Sequence, residues 1–328
     1  MSDDISPTQI KRHVLSDGDV SVAILSLGCI TQDWRVPLNG ARIPVVLGYE
    51  TPVDYLNNPT FLGSIVGRVA NRISGASFAI GDAQFRLQMN EAPNHLHGGA
   101  HGLCTRNWAL QADGARAVRL HLVSPEGDQG YPGRVEFEVT ISLSGYTLTY
   151  DMVARSDRVT PINLAQHSYY NLTGQGTILE HSVQINAEHY TPVDRGGIPT
   201  GEIAALAGLD CDLRTVKTVE QAGRNLDRNF VLSKGAAAQV AARVTAPNGM
   251  MLEMTTDQPC LQFFTGANQS RGARPLAGQE HVQYSGLCLE PQHYINAVNV
   301  DAFPSILISA DRPYRQITQV RISPEAVL

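Results

Sequence analysis

The clearest pattern along the chain has a period of two. Val135, Phe137, Val139, Ile141 and Leu143 alternate with Glu136, Glu138, Thr140 and Ser142, which gives a pleated strand one apolar and one polar face. Ser144-Gly145 reads as a tight turn, and the alternation resumes with Tyr146, Leu148, Tyr150 and Met152, so residues 135–154 predict a β-hairpin. Shorter stretches repeat the pattern: Val118, Leu120 and Leu122, then Phe78-x-Ile80 and Phe85-x-Leu87 on either side of Gly81-Asp82. Helical signals are sparse. Thr51 to Asn58 and Thr218 to Leu226 each suit a short turn, and neither carries a long apolar stripe of period 3.6. Gly235 to Ala242 (GAAAQVAA) is long enough only for a loop or a helical turn. The lack of βαβ alternation argues against Rossmann and TIM architectures. No repeat, charge run or Gly/Ser linker marks a boundary. The expectation is one all-β domain over residues 1–328 with few short helices.

Composition sharpens this picture. A hydrophobic content of 43% suffices for a large core, while the 17% charged fraction falls below the roughly 25% of ordinary soluble domains. Twenty-five basic against 31 acidic residues leave a net charge of −6, which excludes the clustered positive excess that nucleic-acid binding needs. Cys29, Cys104, Cys211, Cys260 and Cys288 are odd in number, scattered and without a CxxC pair, which argues against a disulfide framework or a structural zinc site. The start, MSDDISPTQIKRHVL, is acidic and lacks an apolar signal core, and no apolar run reaches about 18 residues. A soluble, cytoplasmic protein is expected, with neither a nucleic acid nor a membrane as partner.

On such a scaffold the chemistry belongs on loops and strand ends. Five polar clusters stand out: GRVANRI at 67–73, NHLHGG at 94–99, QHSYYNL at 166–172, LDRNF at 226–230 and LEPQ at 289–292. His95, His97 and His101 have a spacing that would serve metal ligation, similar to half a cupin motif, but the Glu that such a motif wants is missing from Gly98-Gly99-Ala100-His101. The two glycines permit close approach of a ligand, which favours substrate contact over metal; a plain structural role stays open. His167, among Asn163, Gln166, Tyr169, Tyr170 and Asn171, is either a hydrogen-bonded core residue or part of a pocket for a neutral polyol, since amides and phenols orient sugar hydroxyls. The apolar run before Glu290 delivers its carboxylate at a strand end, where burial would raise its pKa. Arg72 and Asp227 suit turns that merely face solvent or pair with each other. Gly67-x3-Asn71-Arg72 has no phosphate-loop signature.

Taken in order, these clusters, together with QGYPG at 129–133, YTPVD and IPTGEI at 190–203, QFFTGAN at 262–268, LEPQHY and FPS at 303–305, resemble the aldose 1-epimerases, or galactose mutarotases, from about Gly28 to Ile322. The resemblance implies a cofactor-free, single-domain β supersandwich that interconverts the anomers of a free aldose, monomeric or weakly dimeric. It places the general acid at His167, the general base at Glu290, and sugar contacts at Asn71, Arg72, His97, Asp227 and Gln262. An imidazolium acid with a carboxylate base suits neutral pH. Two departures, Leu103-Cys104 and Ile295-Asn296, would reshape the rim of the pocket. Three other readings are a carbohydrate-binding module without an acid–base pair, a cupin-like metal enzyme, and a mutarotase for hexose 6-phosphates using Arg68 and Arg72 for the phosphate.

Overall fold

Strand alternation organises the chain into stacked antiparallel sheets. A computed structural model describes residues 6–233, 239–269 and 272–325. Its largest sheet has nine strands among the described residues, in the spatial order Ala109–Asp113, Ala117–Ser124, Val135–Ser144, Thr147–Ser156, Tyr314–Pro324, Met250–Thr256, Ala242–Thr245, Ser182–Ile185 and Lys217–Thr218. The expected 135–154 hairpin forms at its centre, with Val139 opposite Met152 and Leu143 opposite Leu148. Phe78 and Phe85 face each other in the second hairpin, where their rings stack.

A six-stranded sheet runs Tyr169–Tyr170, Leu287–Gln292, Cys260–Phe264, Asp227–Leu232, Ala187–Tyr190 and Ala204–Ala205, and residues 12–44 add a four-stranded meander. One apolar cluster joins them. Val118, Phe137, Met152, Leu252 and Ile322 of the nine-stranded sheet meet Phe230, Leu261, Phe263, Leu287 and Leu289 of the six-stranded sheet, with Ile24 and Trp34 of the meander alongside. The buried Tyr150 hydroxyl bridges two sheets by pairing with Thr31 Oγ1 at 2.8 Å. These layers are the β supersandwich that the sequence implied.

Among the described residues, helix is confined to short 3-10 turns. One spans Pro52–Leu56, where the Thr51 hydroxyl donates to Asp54 at 2.7 Å. Thr218 to Leu226 makes a single turn, closed by the Ala222 N–H donating to the Thr218 carbonyl. Gly235 to Ala238 of the GAAAQVAA stretch lie outside the described residues, and Ala242 opens a strand. No helix among the described residues is long and apolar enough to cross a membrane. All five cysteines are buried free thiols.

Phe137 is fully buried, beside Trp108, at the middle of this core. Phe137→Ala should therefore lower folding stability by about 3–5 kcal/mol, read as a fall in urea midpoint at unchanged slope.

Candidate active site

The six-stranded sheet has one face in the core and the other open to a cavity of about 200 Å³. Its register sets Asn229 opposite Gln262 and Gln262 opposite Glu290. Opposed residues share a face, and so do residues two apart on one strand, so Asp227, Gln262, Phe264, Cys288 and Glu290 all lie on the side away from Phe263 and Leu289. This alternation brings Asp227 and Glu290, 63 positions apart in the chain, into a single site.

His167 joins them from the short link between Ala165–Gln166 and Tyr169–Tyr170. Its backbone is held twice, by its N–H donating to Ser64 O at 2.8 Å and its carbonyl accepting from Gly63 N–H at 3.0 Å. The ring lies 5.2 Å from that of Tyr169 and 5.9 Å from that of Phe61, between aromatic walls. Nε2 is 3.8 Å from Glu290 Oε2, and Nδ1 is 3.6 Å from Cys288 Sγ. Both residues line the cavity yet are only 5% and 2% exposed. Desolvation disfavours their charged forms: burial pushes His167 down to about 4 and holds Glu290 well above the usual carboxylate range, with Asp227 adding to the rise. Burial thus biases the pair toward neutral imidazole beside neutral carboxyl, against the imidazolium and carboxylate expected from unperturbed values. Glu290 Oε2 and Gln262 Oε1 are buried without a hydrogen-bond partner among the described residues, leaving acceptors for a ligand.

The opposite wall comes from GRVANRI and NHLHGG. The Asn71 N–H donates to His97 Nδ1 at 3.1 Å and the His97 N–H to Asn71 O at 3.0 Å. An Nδ1 that accepts leaves the proton of a neutral imidazole on Nε2, and burial keeps His97 neutral by lowering its pKa well below 6.5. His97 is therefore a fixed hydrogen-bond donor. Gly98, at φ +86°, exists for this geometry, because a Cβ there would lie 1.7 Å from the Gly67 carbonyl oxygen. The space beside these glycines is filled by the chain itself, by the Gly67 backbone at Gly98 and by the Gln129, His95 and Gln88 side chains at Gly99.

Across the mouth, Gln262 Nε2 donates to Asp227 Oδ1 at 2.5 Å. The Asp227 pKa is raised by the enclosing walls, although solvent still reaches the residue, and the Gln262 bond opposes that rise. Arg72 donates from Nε and Nη2 to Glu91 at 2.6 and 2.7 Å.

The expected site residues Asn71, Arg72, His97, His167, Asp227, Gln262 and Glu290 all line this one cavity. The aldose 1-epimerase family model matches residues 11–321. The chain belongs to the aldose 1-epimerase family. It is 38% identical to the galactose mutarotase of Mus musculus over 96% of this chain and 94% of that one. With the aldose 1-epimerase of Escherichia coli it shares 32% identity over 89% and 91%. The crystal structure of an aldose epimerase homologue from C. elegans has a TM-score of 0.91 at 25% identity, covering 96% of this chain and 99% of that one.

For this epimerase, two alternative readings fall and one sequence expectation changes. His95, His97 and His101 do not converge on a metal: His95 is buried between Gln88 O at 2.6 Å and the Tyr131 hydroxyl at 2.8 Å, while His101 is exposed. Arg68 points away from the cavity, buried against Ser124 and the carbonyls of Pro125 and Pro132, so it offers no charge to a phosphate. Leu103-Cys104 and Ile295-Asn296 do not line the cavity. Gly28 packs against the Cys104 carbonyl, and Asn296 Oδ1 accepts from the Ser74 N–H, so both pairs shape the frame and not the rim.

Residues not singled out as site residues also line the cavity: Phe61, Glu91, Tyr169, Phe264 and Asn268. Tyr169 was visible beside His167, whereas nothing in the spacing around Glu91 announces its partner 19 residues earlier. Three larger cavities, around Thr173–His181, around Cys211 and around Gln184–Glu188, hold no histidine within 4.0 Å of a carboxylate among the described residues.

His167 is joined by His181, His281 and His293 in being pushed down to about 4 by burial. Unfolding frees each to take a proton near pH 6.5, so between about pH 6.5 and 4 the unfolded chain binds more protons and stability falls with pH. Each group contributes a slope of about 1.4 kcal/mol per pH unit in that window. Urea midpoints should decline steeply from pH 6.5 to 4.5, and His281→Gln should flatten the decline.

Proposed function

We propose that this epimerase opens and recloses the ring of a free, unphosphorylated aldose, with Glu290 as the base at the O1 hydroxyl and His167 as the acid at the ring oxygen. The facing, desolvated His167–Glu290 pair at the floor of a polar cavity carries this reading. As the base takes the O1 proton, the C1–O1 bond becomes a carbonyl and the C1–O5 bond breaks; the acid delivers a proton to O5. Rotation about C1–C2 and the reverse transfers give the other anomer. Each positioned group supplies on the order of 10²–10⁴-fold. Asn71, Arg72, His97, Asp227 and Gln262 orient the remaining hydroxyls, His97 as a donor through Nε2.

The active pair holds one proton. Neutral Glu290 beside neutral His167 and ionised Glu290 beside protonated His167 carry the same count, so moving that proton creates base and acid together. Sugar hydroxyls that donate to Glu290 favour the ionised form, because no described residue donates to Oε2. The pH limbs then belong to the pair. Activity is lost at low pH when the pair gains a second proton, at His167, and at high pH when it loses its only one.

One working domain is supported by interleaving, since the largest sheet draws strands from residue 109 to 324. Five buried free thiols support a reducing, cytoplasmic setting, and a monomer or weak dimer suffices because the cavity is lined within one chain.

Polarimetry on fresh α-galactose, α-glucose, xylose and arabinose tests the reading; traces no faster than buffer for all four would refute it. Glu290→Gln and His167→Asn should each lower kcat by roughly 10²-fold or more with a smaller change in KM. Asp227→Ala and Gln262→Ala should raise KM as well. The wild-type pH profile should be a bell whose acid limb descends toward pH 4, the value to which burial pushes His167.

A further inference from the structure

Arg72 is the one Lys or Arg among the described residues that line the cavity. Its Nε and Nη2 form the edge that grips a carboxylate or phosphate with two parallel hydrogen bonds. That edge is already taken, by both oxygens of Glu91 at 2.6 and 2.7 Å. The guanidinium has little room to swing away. Gly197 packs against its face so closely that a Cβ there would lie 3.0 Å from Nη1 and 3.1 Å from Cζ. Asp194 Oδ1 fixes that turn by accepting from the Gly196 and Ile198 N–H groups at 2.8 and 3.0 Å. Asp227 lies on the cavity wall as a second carboxylate within electrostatic reach of Arg72.

An anionic sugar entering this cavity would have to strip Glu91 from Arg72 and then sit beside two carboxylates. A neutral sugar needs only the Nη1 and remaining Nη2 hydrogens, which Glu91 leaves free. We propose that Glu91 is a specificity-determining residue that occupies the anion-binding edge of Arg72 and restricts the site to neutral aldoses. The inference rests on the epimerase reading. Discrimination here comes from repulsion of the wrong substrate as much as from attraction of the right one. Arg68, turned into the frame, offers no compensating charge.

Two sugar pairs that differ only in charge at C6 test this: galactose with galacturonate, and glucose with glucuronate. Wild-type enzyme should give the higher kcat/KM with the neutral member of each pair. In Glu91→Gln the neutral-to-anionic ratio should fall at least about tenfold, mainly through a lower KM for the uronate, and Glu91→Asp should keep most of the wild-type ratio. An active Glu91→Gln with an unchanged ratio, or a wild type that prefers uronates, overturns the proposal. Should Glu91→Gln fold poorly, salt reads the same repulsion on the wild type: raising ionic strength should lower KM for the uronates and leave KM for the neutral sugars in place, and equal responses overturn the proposal. If wild type turns over none of the four sugars, the epimerase reading fails, and equilibrium binding of the same sugars still decides the charge preference.

Discussion

The strand Leu287–Gln292 is buried along its whole length, and the two-residue period of its side chains divides that burial between two unlike environments. Leu287 and Leu289 complete the core shared by three sheets, while Cys288, Glu290 and Gln292 face the other way. Gln262 and Asp227 obey the same division on the neighbouring strands. A slip of one residue in the pairing would drive a carboxyl into the core and leucines into the cavity. The core's demand for leucine and phenylalanine thus sets the register that assembles the site.

Burial has a second consequence. Little water reaches His167 and Glu290, so the groups that would be oppositely charged at neutral pH in solution are both biased toward their neutral forms. The geometry keeps them within one proton transfer of the ionic form, and the unpartnered Oε2 is where a ligand's hydroxyl would tip the balance. Desolvation, not a neighbouring charge, dominates both pKa shifts.

The two arginines of GRVANRI divide in a similar way. Arg68 anchors the frame by donating to a serine hydroxyl and three backbone carbonyls, and burial pushes it down to about 10. Arg72, four residues on, reaches the cavity but arrives already paired. One short motif therefore contributes both a structural pin and a neutralised cation at the mouth.

The hairpin at 135–154 and the dominance of strands were legible in the sequence because alternation is a local property that the backbone converts directly into a two-faced sheet. The candidate site residues could be named because their ordered motifs match a family, not because their spacing dictates a cavity; His167 by itself reads more readily as a core histidine. Four things waited for the tertiary structure. His95 is a structural residue held by Gln88 and Tyr131, Gly98 yields to the Gly67 carbonyl, Arg68 leaves the site, and Glu91 enters it. Each depends on a partner at least seven residues away in the chain, and mostly far more, where neither propensity nor periodicity carries information. The protonation of His167 and Glu290 belongs with them, since the sequence supplies the ionisable groups while only the packing around them determines how much water they keep.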